Sequence, residues 1–175
     1  MDSPDRAAPT SSRLPSWSMT LGIVAVAAAY LATQGWRDRH LVLINASESL
    51  PNWAFVVKRG NEPQRGSFAF FTAPKTPLIV AHFGQNPSPF GKIVYGMSGD
   101  LVTRTDDWVS VNGVRVAHVK KLSKRGEVLT PGPVGRVPTS CYFMATPHPD
   151  GFDSRYADIG WVCPRQIIGT GTAVL

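Results

Sequence analysis

Ser49 and Lys92 are the residues of this chain on which chemistry can be built. Ser49 lies in Ser47-Glu-Ser-Leu-Pro-Asn-Trp53, about a dozen residues past Trp36. Lys92 opens Lys92-Ile-Val-Tyr-Gly-Met-Ser-Gly-Asp100. A serine hydroxyl is a poor nucleophile until a base removes its proton. Lysine is such a base only when neutral, so an apolar pocket must lower its ordinary pKa of about 10.4. Phe90, Ile93, Val94 and Tyr95 are the neighbours expected to supply that pocket. Pro51 restricts Leu50 to extended backbone, which would hold the Ser49 hydroxyl at a strand edge. Ser47, two residues earlier, can aim its own hydroxyl at a developing oxyanion beside the backbone amide of Ser49. Taken singly, each residue also has a plainer reading. A serine before Leu-Pro is usually a turn residue, and a lone lysine is usually a surface charge.

The other polar candidates form no such set. His82, His118 and His148 are scattered, and no Asp/His/Ser order makes a triad. Asp106-Asp107 reads as a turn, and so does Asp150-Gly151. Cys141 and Cys163 are the two cysteines, with no CxxC or Cys/His ligand spacing, so neither a metal site nor a cofactor is expected. They form either one disulfide in an oxidising compartment or two buried thiols. The formal net charge is +6. Lys120, Lys121, Lys124 and Arg125 cluster without stacking aromatics, which reads as an exposed loop and not as a nucleic-acid surface. A basic patch beside a membrane anchor also suits anionic lipid.

Several elements must position the pair. The chain of 175 residues suits one compact domain plus an anchor. Residues 1–16 are rich in Pro, Ser, Ala and Asp and read as a disordered tail. No charge falls between Leu14 and Trp36, and the run from Met19 to Thr33 is strongly apolar. Residues 17–36 are therefore expected to form a transmembrane helix with Trp17 and Trp36 at its interfaces. The small-residue sites Ala25-Val26-Ala27 and Ala27-Ala28-Ala29 lie inside the apolar run, which favours an uncleaved anchor over a signal peptide. Charge does not orient it, because Arg6 and Arg13 precede the span and Arg37 and Arg39 follow it.

Residues 37–175 read as an all-β body, since Gly and Pro punctuate short Val/Ile/Phe-rich runs. Strands are expected at His40–Asn45, Trp53–Lys58, Gly66–Phe71, Thr76–His82, Lys92–Tyr95, Cys141–Ala145 and Ile159–Cys163. Trp108–Ala117 reads as a hairpin turning at Asn112-Gly113.

Four stretches, in this order, resemble the type I signal peptidase family, and within it the TraF-type peptidases of conjugative transfer systems. Ser47-Glu-Ser-Leu-Pro51 is similar to the nucleophile box in its Ser-Leu-Pro form. Arg65-Gly-Ser-Phe-Ala-Phe70 resembles the following strand box, with serine where aspartate is usual. Lys92 to Asp100 resembles the general-base box, with Ile93 for the usual arginine and Ser98 for the usual proline. Phe152-Asp-Ser-Arg-Tyr156, with Gly160 and Val162 beyond, resembles the late box. The family often has a serine two residues before that aspartate, hydrogen-bonded to the lysine. Gly151 stands there, so another hydroxyl or water is expected to orient Lys92.

The resemblance implies a mostly β, antiparallel signal-peptidase-like domain on one N-terminal transmembrane helix. It implies Ser49 as nucleophile, Lys92 as general base, and Ser47 with the Ser49 amide at the oxyanion. Asp153 and Arg155 are implied to form a buried salt bridge supporting the lysine strand. The expected partner is an exported precursor, pilin-like, cleaved and in some relatives cyclised. The expected place is a bacterial inner membrane with the catalytic body in the periplasm. A general signal peptidase, or an inactive membrane-tethered assembly factor, are the alternatives.

Overall fold

The computed structural model describes residues 16–45 and 49–174. Most of the expected tail, and Ser47, lie outside them. The chain divides into two compact units, one ending at Asp38 and the other running Arg39–Leu175.

The first unit is carried by α1 (Ser16–Arg39). Its 24 residues rise about 36 Å, enough for a hydrocarbon core of about 30 Å. Among the described residues, Met19–Arg39 is the segment long and apolar enough to cross a membrane.

The second unit is antiparallel β. The sequential strands are β1 (His40–Ile44), β2 (Ala54–Arg59), β3 (Phe68–Phe71), β4 (Phe90–Gly96), β5 (Leu101–Thr105), β6 (Trp108–Val111), β7 (Val114–His118), β8 (Gly135–Arg136), β9 (Phe143–Ala145) and β10 (Ile167–Ala173). One sheet has the order β1-β2-β10-β3-β4-β9, and the other β7-β6-β5-β8. Every named pairing is antiparallel. The expected β class therefore holds.

Local chemistry explains most of this. Asn112 and Gly113 both take positive φ (48° and 82°), which the two-residue turn between β6 and β7 requires. Asp106, at φ 54°, makes the turn between β5 and β6. Alternation along β4 buries Lys92, Val94 and Gly96 on one face and leaves Ile93 and Tyr95 half-buried on the other.

Two expectations change, and one strand was not expected. Thr76–His82 is not a strand: Pro77–Phe83 is a helix, α2. The Thr76 hydroxyl accepts the Ile79 amide at 3.3 Å, and Pro77 follows at the first helical position. Those start signals outweigh the apolar run behind them. Ile159–Cys163 is no regular strand and contributes a single bridge, Tyr142 to Val162. The strand that completes the large sheet is instead β10, inserted between β2 and β3.

The core has three parts. Val102, Val109 and Val116 of the small sheet pack with Phe143 and Ala145 of β9, joining the two sheets. Phe71, Ile79, Val94, Met144 and Val162 form a second cluster under β4. Leu50, Phe55, Val57 and Phe70 form a third beside the Ser49 turn.

Candidate active site

Ser49 sits in the loop between β1 and β2, and that loop is held from inside. The Asn45 amide group donates to the carbonyls of Leu50 and Asn52, each at 3.0 Å. The Asn45 backbone N–H donates to the Trp53 carbonyl at 2.7 Å. Leu50 is buried in the third core cluster. A pinned turn with a buried apolar residue next to Ser49 gives its hydroxyl a fixed position. Nothing in the spacing around Asn45 marked it in advance.

Lys92 comes to Ser49 from β4. Its Nζ lies 3.4 Å from Ser49 Oγ, as donor to the hydroxyl. The side chain is only 5% exposed. Its ammonium also stands 5.9 Å from the centre of the Phe90 ring. Burial pulls its pKa below the usual 10.5, while Asp153 raises it and Arg155 lowers it again. Desolvation thus wins because the two nearby charges oppose each other. The apolar surroundings differ in detail from those expected, since Ile93 points to the other face of β4 and packs on the third cluster.

Asp153 and Arg155 are both fully buried and form a two-pronged ion pair. Arg155 Nε meets Asp153 Oδ1 at 2.8 Å, and Nη2 meets Oδ2 at 2.8 Å. The guanidinium also donates to the carbonyls of His118, His148 and Thr146. The Asp153 carboxylate takes the Thr146 amide at 3.0 Å. Every charged atom of the pair is thus hydrogen-bonded, which is what burial of two charges demands.

Thr146 is the second residue that sequence reasoning missed. It is fully buried, and its hydroxyl donates to Asp153 Oδ2 at 3.5 Å. The register pairs Ile93, next to Lys92, with Ala145, next to Thr146. A Cβ on Gly151 would lie 2.3 Å from Thr146 Oγ1. The threonine hydroxyl therefore fills the space that a side chain at position 151 would need. Its place directly after the expected strand Cys141–Ala145 did not mark its burial in advance.

The pair opens on a groove of about 730 Å³. β1 supplies Val42 and Ile44 on one side, both exposed. Phe90 and Gly91 of β4, with Phe83 and Phe152, line the remainder. β1 is an edge strand, so its outer backbone groups can pair with an incoming extended chain. Of the other sequence candidates, His82 is drawn to Glu127 at 3.0 Å and His118 gives its carbonyl to Arg155. Cys141 and Cys163 are joined, with an S–S distance of 2.00 Å. Ser47 lies outside the described residues.

Within this antiparallel β body a serine hydroxyl stands against a buried amine, at a groove beside a sheet-edge strand. The family profile described as signal peptidase, peptidase S26, matches residues 14–175, and the chain belongs to that family. It is thus a signal-peptidase-like serine peptidase, of a family that acts on exported precursor proteins. The apolar α1 fits a membrane-anchored protein. A comparison with curated proteins finds no match.

Proposed function

We propose that this chain is a membrane-anchored endopeptidase in which Ser49 is the nucleophile and Lys92 its general base. The observation that carries this is the 3.4 Å approach of Lys92 Nζ to Ser49 Oγ, with the amine buried. A precursor segment adds to the edge strand β1 and lies along the groove. Neutral Lys92 takes the Ser49 proton as the hydroxyl attacks the scissile carbonyl. The Ser49 amide, with Ser47, receives the oxyanion. Lys92 then returns the proton to the leaving amine, and water activated by Lys92 releases the acyl group. The distance of 3.4 Å is long for such a transfer, and catalytic hydrogen bonds commonly tighten when substrate binds. The Asp153–Arg155 pair ties the end of β7 to the residue that follows β9, and its two charges lie near enough to act on the lysine.

The Ser-Leu-Pro form of the nucleophile box favours a specialised, TraF-type branch with a pilin-like precursor, whose product is linear or cyclised. The body then faces the periplasm of a bacterial inner membrane. The test is a processing assay in membranes with a pilin precursor of the same transfer system. Wild type is expected to shorten it, and Ser49→Ala and Lys92→Ala to lower turnover at least about 10³-fold. Equal processing by all three would remove the peptidase role from this pair and favour the assembly-factor reading. Product mass separates linear from circular.

A further inference from the structure

A second cavity, of about 290 Å³, lies against the catalytic groove. The two share Phe83, Phe152 and Asp150 in their walls. An aromatic series runs from one to the other. Phe90, next to Lys92, meets Phe83 edge-on at 4.9 Å. Phe83 lies 6.2 Å from Phe152, and Phe152 stacks on Tyr156 at 5.5 Å. Phe83 is 46% exposed, unusual for a phenylalanine of a helix that otherwise helps form the core.

The cavity has an apolar floor and a basic rim. Leu129 and Tyr156 are buried beneath it. Lys120, Lys124 and Arg125 stand around it, on the arm that follows β7. Asp150 is the carboxylate of the lining, and Lys120 and Lys124 both reach it, the latter at 3.1 Å. Three cations against Asp150 and the neighbouring Glu127 leave the rim net positive. The neighbouring Glu127 is taken up by Ser123 and His82, and its pairing with His82 closes the arm onto α2. A pocket of this kind takes an apolar side chain accompanied by a negative charge.

We propose that this cavity is a second substrate subsite, which holds an apolar residue flanked by an aspartate or glutamate of the same peptide that lies in the Ser49 groove. The assignment rests on the peptidase reading above, because continuity with that groove is what makes the occupant a substrate segment. Phe83 and Phe152 give an extended chain an apolar path from one cavity to the other, beside the Asp150 carboxylate that both cavities share. Asp150 keeps Lys120 and Lys124 oriented toward the opening while neutralising only part of their charge.

The experiment uses the full chain in detergent micelles. The probe is a fluorescent peptide of alternating Ala and Leu carrying one Asp, moved a position at a time, against the same set carrying Asn. Binding is read on Ser49→Ala, with no turnover, and cleavage on the chain with its serine intact. At one position the Asp peptide is expected to be preferred about threefold to fivefold, the worth of exposed charge pairs. The pair Lys124→Gln and Arg125→Gln, both at exposed positions, should bring that ratio close to one. Raised salt should do the same. Equal binding of Asp and Asn peptides at every position overturns the subsite, and so does a preference that the double variant leaves intact. An Asp preference in binding with no cleavage of any peptide supports the cavity as a peptide-binding site and overturns its assignment as a substrate subsite, while the precursor assay tests the peptidase reading separately.

Discussion

At Lys92, burial sets the protonation state, and the sign of the effect fixes two measurements. The folded pKa is lowered from 10.5, chiefly by desolvation. Between that lowered value and 10.5 the unfolded chain binds more protons than the folded one, so stability rises with pH across the window. The contribution of Lys92 is complete above 10.5, falls as pH drops through the folded pKa, and is level below it. In urea unfolding at a series of pH values, Lys92→Met is expected to remove this rise relative to wild type. Cleavage should climb with the same deprotonation, at an apparent pKa below 10.5. A flat rate from about pH 6 to 10 would count against lysine as the base. Gly151 gives a second expectation at this scale. Serine placed there would drive its Cβ into Thr146 Oγ1, and into Arg155 Nη2 and Asp153 Oδ2 at 2.8 and 2.9 Å. Gly151→Ser is expected to destabilise by about 1–3 kcal/mol, the usual cost of overfilling a packed site. A thermal midpoint equal to wild type would mean that Thr146 can yield the space.

Among the elements, β10 shows how tightly the sheet behind the site is built. Its Ile167-Ile-Gly-Thr-Gly-Thr-Ala173, where the sequence leads to no expected strand, carries two glycines, which ordinarily weaken one. The reason lies in its neighbours. A Cβ on Gly169 would lie 2.0 Å from the Lys58 carbonyl oxygen of β2, and one on Gly171 would lie 2.4 Å from the Phe70 ring of the third cluster. Backbone yields less readily than a ring edge. Gly169→Ala is therefore expected to cost about 3 kcal/mol or more, and Gly171→Ala about 1–3 kcal/mol. Urea unfolding of the two variants should rank them in that order, and equal stability would contradict the close approach. The β class and the β6–β7 hairpin were legible because alternation and the Asn112-Gly113 turn are local signals. β10 and α2 were not. One needs glycine for contacts made far away in sequence, and the other hides a helix start at Thr76-Pro77 under β-branched residues. The site divides in the same way. The Ser49 and Lys92 motifs could be read and do come together in space, whereas Asn45, Thr146 and the Phe83–Phe152 wall matter only through partners that folding supplies.

On the scale of the whole molecule, the cysteine pair bears on which side of a membrane suits the proposed orientation of the body. Arginine counts on the two sides of the apolar span 17–36 nearly balance, so charge leaves the orientation open. The Cys141–Cys163 link spans 22 residues, a closure worth about 3 kcal/mol in chain-entropy terms. It ties the start of β9, which flanks the lysine strand, to the turn that leads into β10. Such links persist outside the cytosol and are kept reduced within it. The proposed orientation, with the body on the periplasmic side, is the one in which this contribution to stability is retained. In spheroplasts of bacteria producing the chain, a bulky maleimide is expected to label Cys141 and Cys163 only after reductant and denaturant are added. Protease added outside should remove the body. Labelling without reductant, together with a protected body, would place Ser49 and Lys92 on the cytosolic side. Exported precursors would then meet the site only before crossing, and strand addition at β1 would have to occur on a segment still inside the cell.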